Sequence, residues 1–83
     1  MKLFLISQDE NNDYDTYDSA VVCATDEDAA RLMDPGGNNG APADFGRRYS
    51  LWCSSADKVT VTLIGDAAPG LPTGVVCSSL NAG

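Results

Sequence analysis

Five short apolar or alternating runs, separated by polar segments rich in turn formers, constrain the fold of this 83-residue chain most. The run at 3–6 is continuously apolar, as in a central strand buried on both faces, and 18–24 is typical of an antiparallel neighbour. In 58–64, apolar residues alternate with threonine, which predicts a half-buried strand. The runs at 48–54 and 75–80 predict two more strands. This length supports one domain.

One helix is predicted between the second and third runs. Thr25 is a favourable N-cap, and the acids at 26–28 suit the positive end of a helix dipole. The apolar face would consist of Ala29, Leu32 and Met33. Pro35 ends the helix, and 35–47 is predicted to be a long flexible loop on the surface. The predicted fold is α+β: one antiparallel sheet of about four to five strands with one short helix packed on it, in the order β-β-α-β-β-β, as a single domain over residues 1–83.

The net charge of -7 is concentrated in one part of the sequence. Residues 1–34 hold nine acids and two bases and therefore the whole net charge, whereas 35–83 hold three of each. Such an asymmetry indicates a localised electric field, although acidic loops can also serve only to keep a small protein soluble. The acidity argues against direct binding to nucleic acid phosphates.

The residue types needed for several kinds of chemistry are absent. The chain has no histidine, which is the commonest general base, and its paired carboxylates are expected on an exposed loop, so we expect no enzyme and no cofactor. Asp9, Asn11 and Asp13 match the first three oxygen positions of an EF-hand loop, but Tyr14 replaces its glycine and Ala20 its bidentate glutamate, so no metal site is predicted.

Compartment is indicated by the cysteines and by the length of the apolar runs. Cys23, Cys53 and Cys77 stand far apart inside apolar runs, as expected for reduced, buried thiols in the cytoplasm. The apolar run at 3–6 is too short for a signal peptide, and no segment approaches the length of a membrane span.

With catalysis and metal binding not expected, the candidate functional feature is an acidic surface that could bind a basic protein. Asp9, Asp13 and Asp15 would lie on one side of an extended segment at about 6.6 Å spacing, which is similar to the spacing of phosphates along a nucleic acid strand. Tyr14 and Tyr17 would add rigid contact area or, alternatively, pack over the sheet edge. The predicted partner-binding residues are Asp9, Glu10, Asp13, Tyr14, Asp15, Tyr17, Asp18, Asp26, Glu27 and Asp28.

The sequence also resembles a known group of proteins in three segments. Residues 11–22, 59–65 and 78–83 resemble small phage and mobile-element proteins, and the chain is similar to anti-CRISPR proteins that inhibit the type I-C system. The resemblance implies a DNA mimic in the cytoplasm of a host bacterium. Its partner would be the large, PAM-reading subunit of a Cascade complex. Asp13, Asp15 and Asp18 are the most favoured contact residues.

Two other functions remain open from the sequence. An acidic immunity-type inhibitor of a basic toxin nuclease would use the same electrostatics with a different partner. A structural phage protein could instead associate with copies of itself, since the run at 75–80 has no charged residue to protect a sheet edge. We therefore expect a monomer or a weak homodimer.

Overall fold

In a computed structural model, the residues described are 1–11, 16–36, 43, 45 and 52–81. Their elements are β1 (Lys2–Ser7), β2 (Thr16–Ala24), α1 (Glu27–Arg31), a turn of 3-10 helix (Ala56–Lys58), β3 (Thr60–Asp66) and β4 (Gly74–Asn81). The predicted α+β class, an antiparallel sheet with a single short helix, is confirmed for this part of the chain.

The strands form one sheet in the order β3-β1-β2-β4, and every neighbouring pair is antiparallel. β1 is therefore central, as its apolar run predicts. Its residues nevertheless alternate in burial: Phe4 and Ile6 are buried, whereas Leu3 and Leu5 are only half-buried. The prediction of a strand buried on both faces is wrong, because the helix and the main core lie on one face of the sheet.

The core forms where side chains of one sheet face meet α1 and two segments outside the sheet. Phe4 and Ile6 of β1 lie opposite Val22 and Ala20 of β2, and all four are buried. The remaining buried members are Ala24, Ala30, Met33, Trp52, Cys53 and Val59. Burying apolar side chains of this size stabilises the fold by roughly 1.5–3 kcal/mol each, which a chain this short needs.

The predicted third strand is wrong at the positions that the structure describes. Residues 52–54 are not in a strand, and 48–51 lie outside the described residues. Trp52 and Cys53 are buried in the core, and the carbonyl of Trp52 accepts a hydrogen bond from the side chain of Asn11. The apolar pattern reflects burial of this segment, but its backbone bonds to a loop side chain and not to a sheet.

The helix is shorter than predicted and has a different cap. Asp26, not Thr25, is the N-cap, and its carboxylate accepts from the N–H of Ala29 at 2.8 Å. The helix ends at Arg31, so Leu32 is the C-cap and its side chain is 51% exposed. Met33 is buried and Ala29 is half-buried against the core, as predicted, whereas the prediction for Leu32 is wrong and Ala30 is a buried residue that the predicted face omitted.

Three of the four described residues in the predicted surface loop at 35–47 are buried or half-buried. Pro35 is fully buried, and Ala43 and Phe45 pack against the core. The backbone N–H of Ala43 also donates to the carbonyl of Leu32 at 2.7 Å. Gly36 is exposed, and residues 37–42, 44, 46 and 47 lie outside the described residues, so the flexible loop stays a prediction.

The three cysteines are free, and they differ in burial. Cys23 and Cys53 are buried, as predicted, and burial raises the pKa of the Cys53 thiol. Cys77 is exposed on β4, so the prediction of burial is wrong there. The reason is topological, since β4 lies at an edge of the sheet and its neighbours from Val76 to Leu80 are all exposed.

Candidate partner-binding surface

The buried side chain of Gln8 fixes both ends of the acidic segment that joins β1 to β2. Gln8 follows β1 directly and is 6% exposed. Its Oε1 accepts from the backbone N–H groups of Glu10 at 2.9 Å and Asn11 at 2.8 Å. Its Nε2 donates to the carbonyls of Asn11 at 2.7 Å and Tyr17 at 2.9 Å. All four hydrogen-bonding positions of the amide are therefore used, and the start and end of the segment are held by one side chain.

A second set of contacts attaches this segment to residues far along the chain. One carboxylate oxygen of Glu10 accepts from the backbone N–H of Ser54 at 2.7 Å, and the other accepts from the Ser54 hydroxyl at 3.0 Å. The Asn11 side chain donates to the Trp52 carbonyl at 3.1 Å. The bonds from Ser54, with a smaller contribution from the charge of Lys58, lower the pKa of the Glu10 carboxyl. Glu10 therefore already has an internal partner, although it remains exposed.

The return into β2 is also fixed by packing. Thr16 is buried, and its hydroxyl donates to the Asn11 carbonyl at 3.4 Å. Tyr17 is half-buried and packs against the core. A Cβ added at Gly36 would lie 2.7 Å from the Tyr17 hydroxyl oxygen and 2.8 Å from Cε2 of the ring, so the backbone at Gly36 lies directly against that ring. Tyr17 therefore packs against the core and Gly36, and not over an edge of the sheet, since β2 is an inner strand.

The predicted row of acids is only partly described. Asp9 and Asp18 are exposed, and the pairing of Ser7 with Ser19 brings them to the same end of the sheet. Asp13, Tyr14 and Asp15 lie outside the described residues. The backbone bends at Asp9 and Glu10, so the extended geometry assumed for the start of the row is wrong. We call Asp9, Glu10 and Asp18 the loop-end acids.

The acids at the start of the helix lie at the opposite end of the sheet. Lys2 pairs with Ala24, so β2 passes from Asp18 to Ala24 before Asp26 is reached. Six residues of strand span about 20 Å. The sequence suggested one acidic patch, but the described acids form two groups. We call Asp26, Glu27 and Asp28 the helix-start acids; all three are exposed.

Bases moderate the field at several of these positions. Lys2 forms a 2.8 Å ion pair with Asp66, which lowers the pKa of that carboxyl. Arg31 lies 3.9 Å from Glu27 and also donates to the carbonyl of Val59. Lys58 acts on Glu10. Every base in the described part of the chain therefore lies near an acid, while the carboxylate of Asp18 accepts a hydrogen bond from the hydroxyl of Ser19 at 3.2 Å.

Sequence reasoning missed Gln8, although a signal was available. Phe4 and Ile6 are the buried positions of β1, and Gln8 continues their alternation by one more step. A single amide at the buried position after a strand indicates a side chain that serves the backbone of the following loop. Ser54 carries no comparable local signal.

The described residues contain neither a metal-binding cluster nor a membrane-spanning helix, and the chain matches no protein with which it is compared. Among the residues that the structure describes, no three or more cysteine, aspartate or glutamate side chains cluster as metal ligands would. No helix in the described ranges is long and apolar enough to cross a membrane. Comparison of the chain with protein-family models, curated proteins and solved structures gives no match.

Proposed function

We propose that this chain is a non-enzymatic inhibitor that binds a basic DNA-binding protein through the loop-end acids Asp9 and Asp18 and the acidic residues between them in sequence, whereas Glu10 bonds internally to Ser54. The observation that carries the proposal is the set of four hydrogen bonds made by Gln8. They hold the carbonyl of Asn11 and that of Tyr17 on one amide, and so define where the acidic segment leaves β1 and enters β2. A segment held in this way loses less conformational entropy on binding than a free acidic loop would.

The charge distribution favours a basic partner over any other kind. Asp9 and Asp18 are exposed at the end where the sequence places Asp13 and Asp15, so up to four carboxylates belong to one short stretch. A surface of this sign accelerates encounter with a positively charged groove, and the attraction weakens as salt is added. Nothing in this binding requires a cofactor or a bond-making step.

The partner we propose is a Cascade complex in the cytoplasm of a bacterial host. This choice rests on the resemblance of residues 11–22, 59–65 and 78–83 to anti-CRISPR proteins of the type I-C kind. RNA-guided effectors of the Cas9 type read a PAM in duplex DNA through basic side chains, and if Cascade does the same, a protein that presents carboxylates to those side chains would exclude DNA.

A competition experiment with two matched triple variants tests the proposal. Purified type I-C Cascade is mixed with a fluorescent duplex that contains the PAM, and the anisotropy is followed as the inhibitor is added. D13N/D15N/D18N removes three charges near the loop end, and E27Q/D28N/D57N removes three charges elsewhere. We expect wild type and the second variant to displace the duplex at about 50 mM salt and less well at about 200 mM, and the first variant to fail.

Two other outcomes of the competition experiment would contradict the proposal. If wild type leaves the duplex bound at low salt, Cascade is not the partner, and displacement of DNA from a basic toxin nuclease in the same assay would identify the immunity-type alternative. If both triple variants lose activity equally, only the total charge matters and a localised surface is wrong. Circular dichroism of both variants establishes that each one is folded.

A further inference from the structure

The exposed loop-end acid Asp9 lies between two residues whose side chains are tied to other parts of the chain. Gln8 precedes it and is buried, with its amide bonded to the backbone at the start and at the end of the acidic segment. Glu10 follows it and is bonded to Ser54. The backbone at Asp9 is therefore held from both sides, and one of the two anchors belongs to a distant segment of the chain.

The contact between Glu10 and Ser54 uses both oxygens of the carboxylate. The backbone N–H of Ser54 donates to one oxygen at 2.7 Å, and its hydroxyl donates to the other at 3.0 Å. Two bonds to different oxygens fix the orientation of the carboxylate as well as its place, and bonds to an ionised group are about twice as strong as neutral ones. The same bonds lower the pKa of the Glu10 carboxyl, so it keeps both acceptors at neutral pH.

The segment that carries Ser54 is itself held by the core. Trp52 and Cys53 precede it and are buried, and Val59, which follows the turn of 3-10 helix, is buried too. A second bond joins the same two segments, from the side chain of Asn11 to the carbonyl of Trp52 at 3.1 Å. The acidic segment is therefore placed relative to the core and not only relative to the strand that it follows.

We propose that Ser54 is a positioning residue of the partner-binding surface: through Glu10 it holds Asp9 in the place where a basic protein meets it. This inference rests on the proposed function, and it assigns a role in binding to a residue that need not touch the partner. A carboxylate that is already in place loses less conformational entropy when it forms an ion pair, and it favours partners whose bases match its position.

The consequence is that affinity should fall without any change in charge. Ser54→Ala leaves the net charge at -7 and keeps the backbone N–H, but it removes the hydroxyl bond to Glu10. If only the number of charges mattered, this variant would bind as wild type does. A surface that needs Asp9 in place would bind more weakly, whereas the response to salt, which follows the charges, would stay the same.

Amide hydrogen exchange measured by NMR tests the ordering of the segment without any partner. The backbone N–H groups of Glu10 and Asn11 are bonded to the Gln8 side chain and report on it. In Ser54→Ala we expect both to exchange about three- to tenfold faster, as the loss of one hydrogen bond allows. Ser54→Thr keeps a hydroxyl and should restore the wild-type rates. Ser55→Ala is the matched control, since the Ser55 side chain makes no capping hydrogen bond, and it should leave the rates unchanged.

Displacement of the fluorescent duplex, from whichever of Cascade or the basic toxin nuclease wild type displaces it, tests the consequence for binding. Ser54→Ala should require about three- to tenfold more protein for half displacement, by the same ratio at about 50 mM and 200 mM salt, while Ser54→Thr and Ser55→Ala should match wild type.

Three results would overturn the inference, and they are distinguishable. Unchanged exchange in Ser54→Ala would mean that Ser54 does not order the segment. Faster exchange with unchanged displacement would mean that the order does not matter for binding. If wild type displaces the duplex from neither protein, the proposed function fails and the role in binding fails with it, whereas the exchange rates still decide whether Ser54 holds the segment.

Discussion

The carboxylate of Glu10 bonds to both the backbone N–H and the hydroxyl of Ser54, a residue 44 positions further along the chain. This contact fastens the acidic segment after β1 to the segment that carries the buried Trp52 and Cys53. One of the acids predicted to meet a partner thus has a structural role in the free protein. The acids available to bind a partner protein are therefore those near Glu10 in sequence, such as Asp9 and Asp18.

Replacement of Glu10 should change the pH dependence of stability. Its pKa is lowered on folding, chiefly by the Ser54 N–H and then by the Ser54 hydroxyl, so the folded state favours the ionised carboxylate. The stability that this gives is present above the pKa of the unfolded chain and is lost as pH falls through the lower folded value. In urea titrations between about pH 7 and pH 3, wild type should therefore exceed E10Q at neutral pH and approach it in acid.

The control for this experiment is D57N, which removes another exposed acid. Its difference from wild type should not follow the pH course of E10Q. A gap between wild type and E10Q that stays constant from neutral to acid pH would contradict the assigned role of the carboxylate.

Loss of the Gln8 amide should destabilise the whole chain. Gln8→Met keeps the approximate volume but removes every hydrogen bond to the backbone of Glu10, Asn11 and Tyr17. Several buried polar groups would lose their partners, so we expect a loss of about 2–3 kcal/mol in free energy of unfolding by urea denaturation. Ser79→Ala, at an exposed strand position, should stay within about 0.5 kcal/mol of wild type. If Gln8→Met is as stable as wild type, packing alone accounts for Gln8.

The helix cap gives a direct comparison of two adjacent residues. The Asp26 carboxylate accepts a hydrogen bond from the Ala29 N–H, whereas the sequence predicted Thr25 as the N-cap. Asp26→Ala should therefore lower the free energy of unfolding by about 1 kcal/mol, and Thr25→Ala, at an exposed position, by much less. Thermal or urea unfolding of both variants measures this. The reverse order would mean that the helix begins at Thr25.

How far the sequence predicts the structure depends on the range of the interactions. The alternation of Val59 and Val61 with threonines, and the apolar runs of β1 and β2, report local periodicity, and strands were correctly predicted there apart from their ends. Burial was predicted less well, since Leu63, expected on the half-buried face of β3, is 57% exposed. The segment at 52–54 has the same composition as a strand, but its backbone is held by the Asn11 side chain. No pattern within a short window can report such a contact.

In the candidate surface, too, local sequence patterns predicted only what depends on neighbouring residues. The sequence suggested one acidic patch that included Asp9, Asp18 and Asp26, and it could not show that about 20 Å of β2 lies between Asp18 and Ala24. That separation follows from the pairing of Lys2 with Ala24, which is a property of the whole sheet. The bulge at Asp18, where the pairing of β2 with β4 shifts, likewise has no local sequence signature.

Close packing of Tyr17 on Gly36 predicts a steric penalty that a second substitution should relieve. In Gly36→Ala, the new Cβ would meet the Tyr17 ring at 2.7–2.9 Å, and this ring cannot move freely because it packs against the core. We expect a loss of about 1–3 kcal/mol in free energy of unfolding. Gly65→Ala is the control, since a Cβ there meets nothing within 4 Å, and it should be close to neutral. In a double-mutant cycle, Gly36→Ala should cost less in a Tyr17→Leu background than in wild type. Equal costs in both backgrounds would mean that the penalty does not arise from the Tyr17 ring.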